Sequence, residues 1–131
     1  MEIGNSRSVA EREEEGNEIE VRDVARVVEE GVTITVVGTY SATYRKAQNQ
    51  NRDKFLKQRG NVDSEMIEKQ SVETTARCIK AWRGFTSNGV DFPCNRENAI
   101  AMLTNAPWIR EQVEEAMNDH AGFFPKSSAS S

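Results

Sequence analysis

The sequence predicts a mainly helical fold of the α+β class, a small domain of about four helices with a short N-terminal β-ribbon. Two patterns lead to this prediction. Residues 32–37 alternate β-branched apolar side chains with threonine, which is the period of a strand. In four later segments, apolar residues recur every three or four positions, which is the period of a helix. The chain has 131 residues, the size of one domain.

Charge and apolar content limit the classes of partner. Acidic residues outnumber basic ones by 21 to 17, and no basic patch contains interleaved aromatic side chains, so a nucleic-acid partner is not expected. The longest apolar run, residues 32–37, is too short to span a bilayer, so no membrane partner is expected either. The first residues are polar and acidic, which predicts a cytoplasmic protein whose two cysteines, Cys78 and Cys94, are free thiols, with a bridge between them as the alternative.

The two ends of the chain are predicted to be disordered. Residues 1–17 contain the charged run at 11–15 and little apolar material to offset the entropy of ordering. Residues 125–131 form a flexible tail, because they contain mostly small polar side chains. Residues 18–124 are therefore predicted to form the single ordered domain.

The ordered part begins with the β-ribbon. Residues 32–37 form its second strand, and its first strand lies upstream, within residues 19–28, with a turn at residues 29–31. A two-stranded ribbon is marginal by itself. We therefore expect the face that carries Ile34 to contact a neighbouring subunit, which makes Ile34 a candidate protein-binding residue.

Four helices are predicted after the ribbon. The first begins near Ser41, with Thr39 as an alternative cap, and ends at Gly60. The second begins at Asp63 or Ser64 and continues through Cys78, Ile79 and Trp82 to Gly84. A loop with a turn at Asn88-Gly89 follows, and it has room for a small hairpin. The third helix begins after Asn95, and the fourth runs from Pro107 to Gly122.

No residue of the sequence is predicted to be catalytic, to bind a cofactor or to bind a metal ion. His120 is the one histidine of the chain, and a lone histidine at the end of an amphipathic helix is most often half-buried or a cap. The carboxylates of the last helix lie on a solvated face. There is no glycine-rich phosphate loop and no nucleophile elbow. The sequence therefore predicts a protein that is not an enzyme.

Three aromatic residues are candidates for protein binding. Trp108 either packs against Leu103 and Ile109, where the last two helices meet, or is exposed and anchors a partner. Phe123 and Phe124 are consecutive, and successive side chains of an extended segment face opposite ways. We therefore expect one of them to dock on the domain and the other to be available to a neighbouring subunit or partner.

Several motifs in the second half of the chain occur together in a recognisable order. They are a Trp-Gly loop at 81–85 (AWRGF), a turn into a short helix at 88–99 (NGVDFPCNRENA), a helix start at 106–113 (APWIREQV) and an ending at 118–124 (NDHAGFF). Together with the strand at 32–38 and the helix start at 41–47 (SATYRKA), they resemble the tail assembly chaperones of long-tailed bacteriophages. The resemblance covers about residues 31–124.

This resemblance implies a mainly helical protein that self-associates into rings or spirals. Such chaperones bind the phage tape-measure protein and the tail-tube protein in the host cell cytoplasm, and they leave the finished virion. The alternative that the resemblance leaves open is a structural phage tail or head–tail component that is retained in the virion. Neither function requires a cofactor.

Overall fold

The computed structural model describes residues 6–58 and 63–124. Within these ranges the chain forms five α-helices, a three-stranded antiparallel sheet and a two-stranded hairpin. The helices are α1 (Ser6–Glu15), α2 (Ala42–Gln58), α3 (Ser64–Arg77), α4 (Arg96–Asn105) and α5 (Pro107–Asn118). The strands are β1 (Asn17–Arg22), β2 (Val28–Val36), β3 (Ile79–Arg83), β4 (Thr86–Ser87) and β5 (Val90–Asp91). A 3₁₀-helix, His120–Phe123, follows α5. None of the described helices is long and apolar enough to cross a membrane.

The predicted fold, a mainly helical α+β domain of about four helices with a short N-terminal β-ribbon, is wrong. The chain is an α+β fold with five described helices and a larger sheet, because a third strand, β3, pairs with the free edge of β2 and gives the sheet order β1-β2-β3. The helix predicted to continue through Ile79 and Trp82 ends at Arg77, and Cys78 caps it. Beyond Cys78 the backbone is extended, and Trp82 lies opposite Ile34 of β2. Pairing with a long-range strand therefore prevails over the local helical spacing.

The turn between β1 and β2 also lies elsewhere than predicted. The chain reverses at residues 23–27, and the residues assigned to the turn, 29–31, belong to β2. The side chain of Asp23 explains the position, because its Oδ1 accepts hydrogen bonds from the backbone of Ala25 at 2.8 Å and of Val27 at 3.0 Å. Arg26 adopts a positive φ of 68° within this turn.

Residues 6–15, which were predicted to be disordered, form α1. The segment is poor in apolar residues, but alanine, glutamate and arginine are strong helix formers. The helix docks through its carboxylates: Glu13 is 0% exposed, and Glu14 accepts from the backbone and the hydroxyl of Thr43 at the start of α2. The ordering entropy is thus offset by polar contacts, which apolar content does not reveal. Residues 1–5 and the predicted flexible tail, 125–131, lie outside the described residues.

Four predicted helix starts are confirmed. The hydroxyl of Ser41 accepts from the backbone of Tyr44, which makes Ser41 rather than Thr39 the cap of α2. Asp63 caps α3 through its Oδ1, and Asn95 caps α4 in the same way. Pro107 is the first residue of α5. The end predicted for the first helix, Gly60, lies outside the described residues.

The core lies between the sheet and helices α3, α4 and α5. Ile34 and Val36 of β2 are both 0% exposed, whereas Thr33 and Thr35 face the other way and are half-buried. On that outer face Arg83 and Glu18 form an ion pair at 2.8 Å. One face of the sheet is therefore apolar and covered by helices, and the other is polar.

A close approach of two glycines joins β2 to the end of β3. A Cβ atom added to Gly84 would lie 2.3 Å from the carbonyl oxygen of Gly31, and both residues have positive φ angles. Beyond Gly84, Asn88 and Gly89 form the predicted turn, here between β4 and β5. The indole of Trp82 donates to the carbonyl of Phe92 at 2.7 Å, which ties this hairpin to the sheet.

We expect replacement of Glu13 to destabilise the fold. In Glu13→Ala the backbone N–H of Tyr40 and the ring of His120 lose their partner, so the free energy of unfolding should fall by about 1–3 kcal/mol. Chemical denaturation measures this change. Glu11→Ala, an exposed position of the same helix, should shift stability by less than about 0.5 kcal/mol. Equal stability of Glu13→Ala and the wild type would show that α1 is not held by this carboxylate.

The two thiols should differ in reactivity. Burial raises the pKa of the Cys78 thiol to about 12, with a smaller contribution from the nearby Glu14 carboxylate, so little thiolate forms near pH 8. Cys94 is exposed, and partial burial of its thiol raises its pKa as well. Alkylation at pH 8 followed by mass spectrometry should label Cys94 in the native protein, and Cys78 only after unfolding. Labelling of both at equal rates in the native protein would contradict the buried position of Cys78.

Candidate protein-binding site

Helix α2 presents a long exposed face. It has 17 residues, about 25 Å at about 1.5 Å per residue, and of these only Ala47 is buried. Arg45, Arg52 and Leu56 are spaced by seven and four residues, so they lie on one side of the helix. We call this surface the α2 outer face, and its exposed residues are Arg45, Lys46, Asn49, Arg52, Asp53, Leu56 and Lys57.

The α2 outer face is basic in an acidic protein. The helix contains five basic residues and one acidic residue, whereas the whole chain has 17 and 21, which leaves 12 basic and 20 acidic residues outside the helix. Leu56, 67% exposed, lies among these cations. A positive surface with an exposed apolar side chain fits an acidic protein partner, because the charges select the partner and the leucine adds apolar contact.

The inner side of α2 packs on α3 mainly through polar groups. The amide of Asn51 donates to the hydroxyl of Thr74 at 2.5 Å, Arg77 donates to Gln50, and Lys54 lies 3.9 Å from a carboxylate oxygen of Glu73. Few apolar side chains are buried here, so α2 gains less hydrophobic stabilisation than α5, which buries Ile109, Val113, Ala116 and Met117.

Behind α2 lies a cleft of about 250 Å³ between α2, α3 and α5. Gln70 of α3 lines it and is 8% exposed, and its Oε1 is the one buried side-chain oxygen or nitrogen of the described residues without a hydrogen-bond partner. An unpartnered buried acceptor costs about 1–3 kcal/mol. We call this space the Gln70 cleft, and its lining residues are Thr39, Tyr44, Gln48, Asn51, Phe55, Ile67, Gln70, Ser71, Thr74, Thr75, Glu114, Met117 and Asn118.

Arg110 of α5 connects α5 to α3 without lining this cleft. It donates to Glu114 at 2.6 Å, to the hydroxyl of Ser71 at 2.9 Å and to Glu68, and so joins α5 to α3. The hydrogen bond with Glu68 raises the pKa of the Arg110 guanidinium above its ordinary value. These charge-assisted hydrogen bonds from one partly buried guanidinium connect the two helices.

The single histidine, His120, contacts a buried carboxylate and an aromatic ring. Nδ1 of His120 lies 2.7 Å from Oε2 of the buried Glu13, and its ring stacks on Tyr40 at a centroid distance of 3.8 Å. Oε1 of the same carboxylate accepts from the backbone of Tyr40 at 2.8 Å. The cluster joins α1, the turn before α2 and the 3₁₀-helix.

The structure separates the four residues predicted to bind protein. Ile34 lies in the central strand and is 0% exposed, so the prediction that it contacts a neighbouring subunit is wrong, because β3 and the helices of its own chain cover it. Phe123 belongs to the 3₁₀-helix rather than to the extended segment that was expected, and it is 6% exposed, whereas Phe124 is 38% exposed. Trp108 is 38% exposed at the start of α5, and Phe124 lies beyond the end of that helix, which is about 18 Å long. The two exposed aromatics therefore do not form one patch.

The α2 outer face and the Gln70 cleft are the features that sequence reasoning missed. The first had a signal, because the cations at 45, 46, 52 and 57 recur at helical spacing and Leu56 falls on the same side. The second had none, since it arises where three separate helices meet.

Comparison with known proteins gives no match: no family model, curated protein or solved structure resembles the chain significantly. In the described ranges, no three His, Cys, Asp or Glu side chains come together as a group that could hold a metal ion. The function is therefore argued from the residues and geometry of this chain.

Removal of the two terminal aromatic rings should have unequal effects. Phe123→Ala leaves a cavity in the core and should lower the free energy of unfolding by about 3–5 kcal/mol. Phe124→Ala should cost less than about 1 kcal/mol, because its ring contacts the Arg12 guanidinium at the surface. Thermal or denaturant unfolding of the two variants measures both. Similar losses in the two would mean that Phe124 also belongs to the core.

Proposed function

We propose that this protein is a tail assembly chaperone of a long-tailed bacteriophage. It acts without enzymatic chemistry in the host cell cytoplasm, where it binds segments of the tape-measure protein and brings tail-tube subunits to them. The α2 outer face is the surface that contacts the tape-measure protein. The order and spacing of the motifs between residues 31 and 124 suggest the family, and the surface of α2 suggests the mode of binding.

The motifs behind the family resemblance coincide with positions that this fold requires. Ser41 caps α2, Pro107 begins α5, and Gly84 lies where β3 approaches Gly31. Trp82 ties the β4–β5 hairpin to the sheet. These residues therefore preserve a fold rather than a reaction site, which is what a family without catalytic chemistry requires. The mainly helical fold that the resemblance implied is not part of this proposal.

The observation that carries the proposal is the exposed length of α2. A helix of 17 residues with one buried residue gains little from its own domain, yet it displays four cations and an exposed leucine along one side. A partner helix with acidic residues at helical spacing can lie along such a face and pair with Arg45 and Arg52, while its apolar residues contact Leu56. Elongated helical proteins offer many successive segments of this kind.

Self-association is also part of the proposal, and it must use surfaces other than Ile34. The protein is basic along α2 and acidic elsewhere, so one copy presents opposite charges on different sides. Contacts between unlike surfaces of successive copies produce rings or helical arrays. Trp108 and Phe124, each 38% exposed, are the aromatic candidates for such contacts.

Copurification tests the proposal. The full chain, coexpressed with the tape-measure protein of its phage, should capture that protein, and the complex should weaken as salt concentration rises. The double variant Arg45→Glu with Arg52→Glu should fold normally, because both side chains are exposed, and should lose capture by at least about tenfold. Mass spectrometry of purified virions should find the protein absent.

A matched control separates the α2 outer face from total charge. Lys69→Glu with Arg96→Glu makes the same change in charge at exposed positions of α3 and α4, and it should leave capture unchanged. Equal loss in both double variants would assign the effect to net charge. Presence of the protein in purified virions would favour a structural tail or head–tail component, and failure to capture the tape-measure protein at any salt concentration would reject the chaperone function.

A further inference from the structure

A side chain that lines the Gln70 cleft has a buried hydrogen-bond acceptor without a donor in the described part of the chain. Gln70 is 8% exposed, and its Oε1 accepts no hydrogen bond from the described residues. A buried acceptor of this kind destabilises the free protein, and it gains a partner when the Gln70 side chain turns toward a donor in the cleft. Because Gln70 lies on α3, in the middle of a regular helix, its position is fixed by the scaffold rather than by a loop.

Three side-chain amides that line the cleft donate their N–H groups to other atoms of the same chain. Gln48 donates to the hydroxyl of Tyr44, Asn51 donates to Thr74, and Asn118 donates to the backbone carbonyl of Glu114. These three side chains make those contacts through the amide nitrogen, which leaves the amide oxygens as acceptors, and those of Gln48 and Asn118 belong to exposed residues. The lining therefore offers acceptors in excess, and a complementary ligand must offer several donors.

The charge of the lining residues also favours a ligand that donates hydrogen bonds and is positively charged. Among the described residues that line the cleft, Glu114 is the one with an ionisable acid or base that is charged at neutral pH, and this charge is negative. Arg110 does not line the cleft, and it is paired with both Glu68 and Glu114, so this group of three side chains has a net negative charge. A cationic donor is therefore favoured over a neutral one.

Apolar side chains in the lining can contact the hydrocarbon part of a cationic ligand. Phe55 and Tyr44 are half-buried at the α2 side, Met117 is 3% exposed at the α5 side, and Ile67 is 54% exposed at the mouth. A flat guanidinium stacks on aromatic rings and is more weakly hydrated than an ammonium ion, so it loses less on entering a partly closed site.

We propose that the Gln70 cleft binds an alkylguanidinium group, with Gln70 Oε1 as an acceptor, Glu114 as the counter-charge, and Phe55 and Met117 along the alkyl stem. An arginine side chain of a partner polypeptide and a free alkylguanidine offer the same chemistry. This site lies on the inner side of α2 and does not depend on the proposed function, because its ligand is cationic and the partner of the α2 outer face is acidic.

The test uses the full chain and three small probes, of which two carry an alkylguanidinium group. N-acetylarginine amide represents the side chain in a polypeptide, agmatine represents a free alkylguanidine, and N-acetylcitrulline amide is the neutral analogue. Titration followed by ¹H–¹⁵N correlation spectra should give saturable shifts at residues that line the cleft. The citrulline probe should bind at least about tenfold more weakly than the arginine probe, because it lacks the charge.

Two substitutions of Gln70 test whether its Oε1 is the acceptor that binds the guanidinium group. Gln70→Met keeps the length of the side chain and removes the acceptor, so affinity for the arginine probe should fall by at least about tenfold while the melting temperature stays equal or rises. Gln70→Glu places a carboxylate at the same position and should strengthen binding of the same probe. Lys69→Met, at the exposed neighbouring position, should change neither quantity.

Each outcome decides the proposal. Stronger binding of N-acetylarginine amide than of agmatine supports a polypeptide arginine as the ligand, and the reverse supports a free alkylguanidine. Absence of saturable shifts with every probe overturns the site, as does a crystal structure in which an ordered water satisfies Gln70 Oε1 after a soak in saturating arginine probe. Binding that is equal in the wild type, Gln70→Met and Gln70→Glu also overturns it.

Discussion

The structure depends on the pairing of β2 with a strand on each side. A β1–β2 ribbon alone would expose the face that carries Ile34 and Val36, and a two-stranded ribbon has little stability in water. The pairing of β3 widens the sheet enough for α3, α4 and α5 to cover that face. Without the sheet, the apolar side chains of these helices that face it would be exposed to water. The sheet and the helical layer therefore stabilise each other.

Buried polar contacts attach the first helix to this framework. Glu13 has no exposed surface, and its two carboxylate oxygens reach the turn before α2 and the 3₁₀-helix after α5. Glu14 satisfies the free N–H of Thr43 in the first turn of α2. A carboxylate beside the N-terminus of a helix also interacts favourably with the helix dipole. An acidic, apolar-poor segment is thereby ordered without contributing to the hydrophobic core.

Helix α2 has two sides with opposite chemistry. Its outer face is basic and carries the exposed Leu56, whereas its inner side borders a cleft rich in hydrogen-bond acceptors with one carboxylate. Because α2 buries a single residue, its stability comes from caps and polar contacts with α3 rather than from the core. A partner that packs on either side would add apolar burial that the helix lacks within its own chain.

The sequence alone determined the starts of four helices and the Asn88-Gly89 turn, because a cap or a positive φ needs a particular side chain at a particular place. The alternation at residues 32–37 also identified β2. Tertiary structure decided the rest. Ile79 and Trp82 fit a helical stripe as well as a strand, and pairing with Ile34 selected the strand. From the sequence, Glu13 would be assigned to a solvated surface, and only the tertiary structure places residues 38–40 and 120 around it. The acceptor of Gln70 that lacks a hydrogen-bond partner in the described ranges likewise results from the packing of three helices. Local patterns specify caps and turns, whereas long-range contacts decide pairing, burial and clefts.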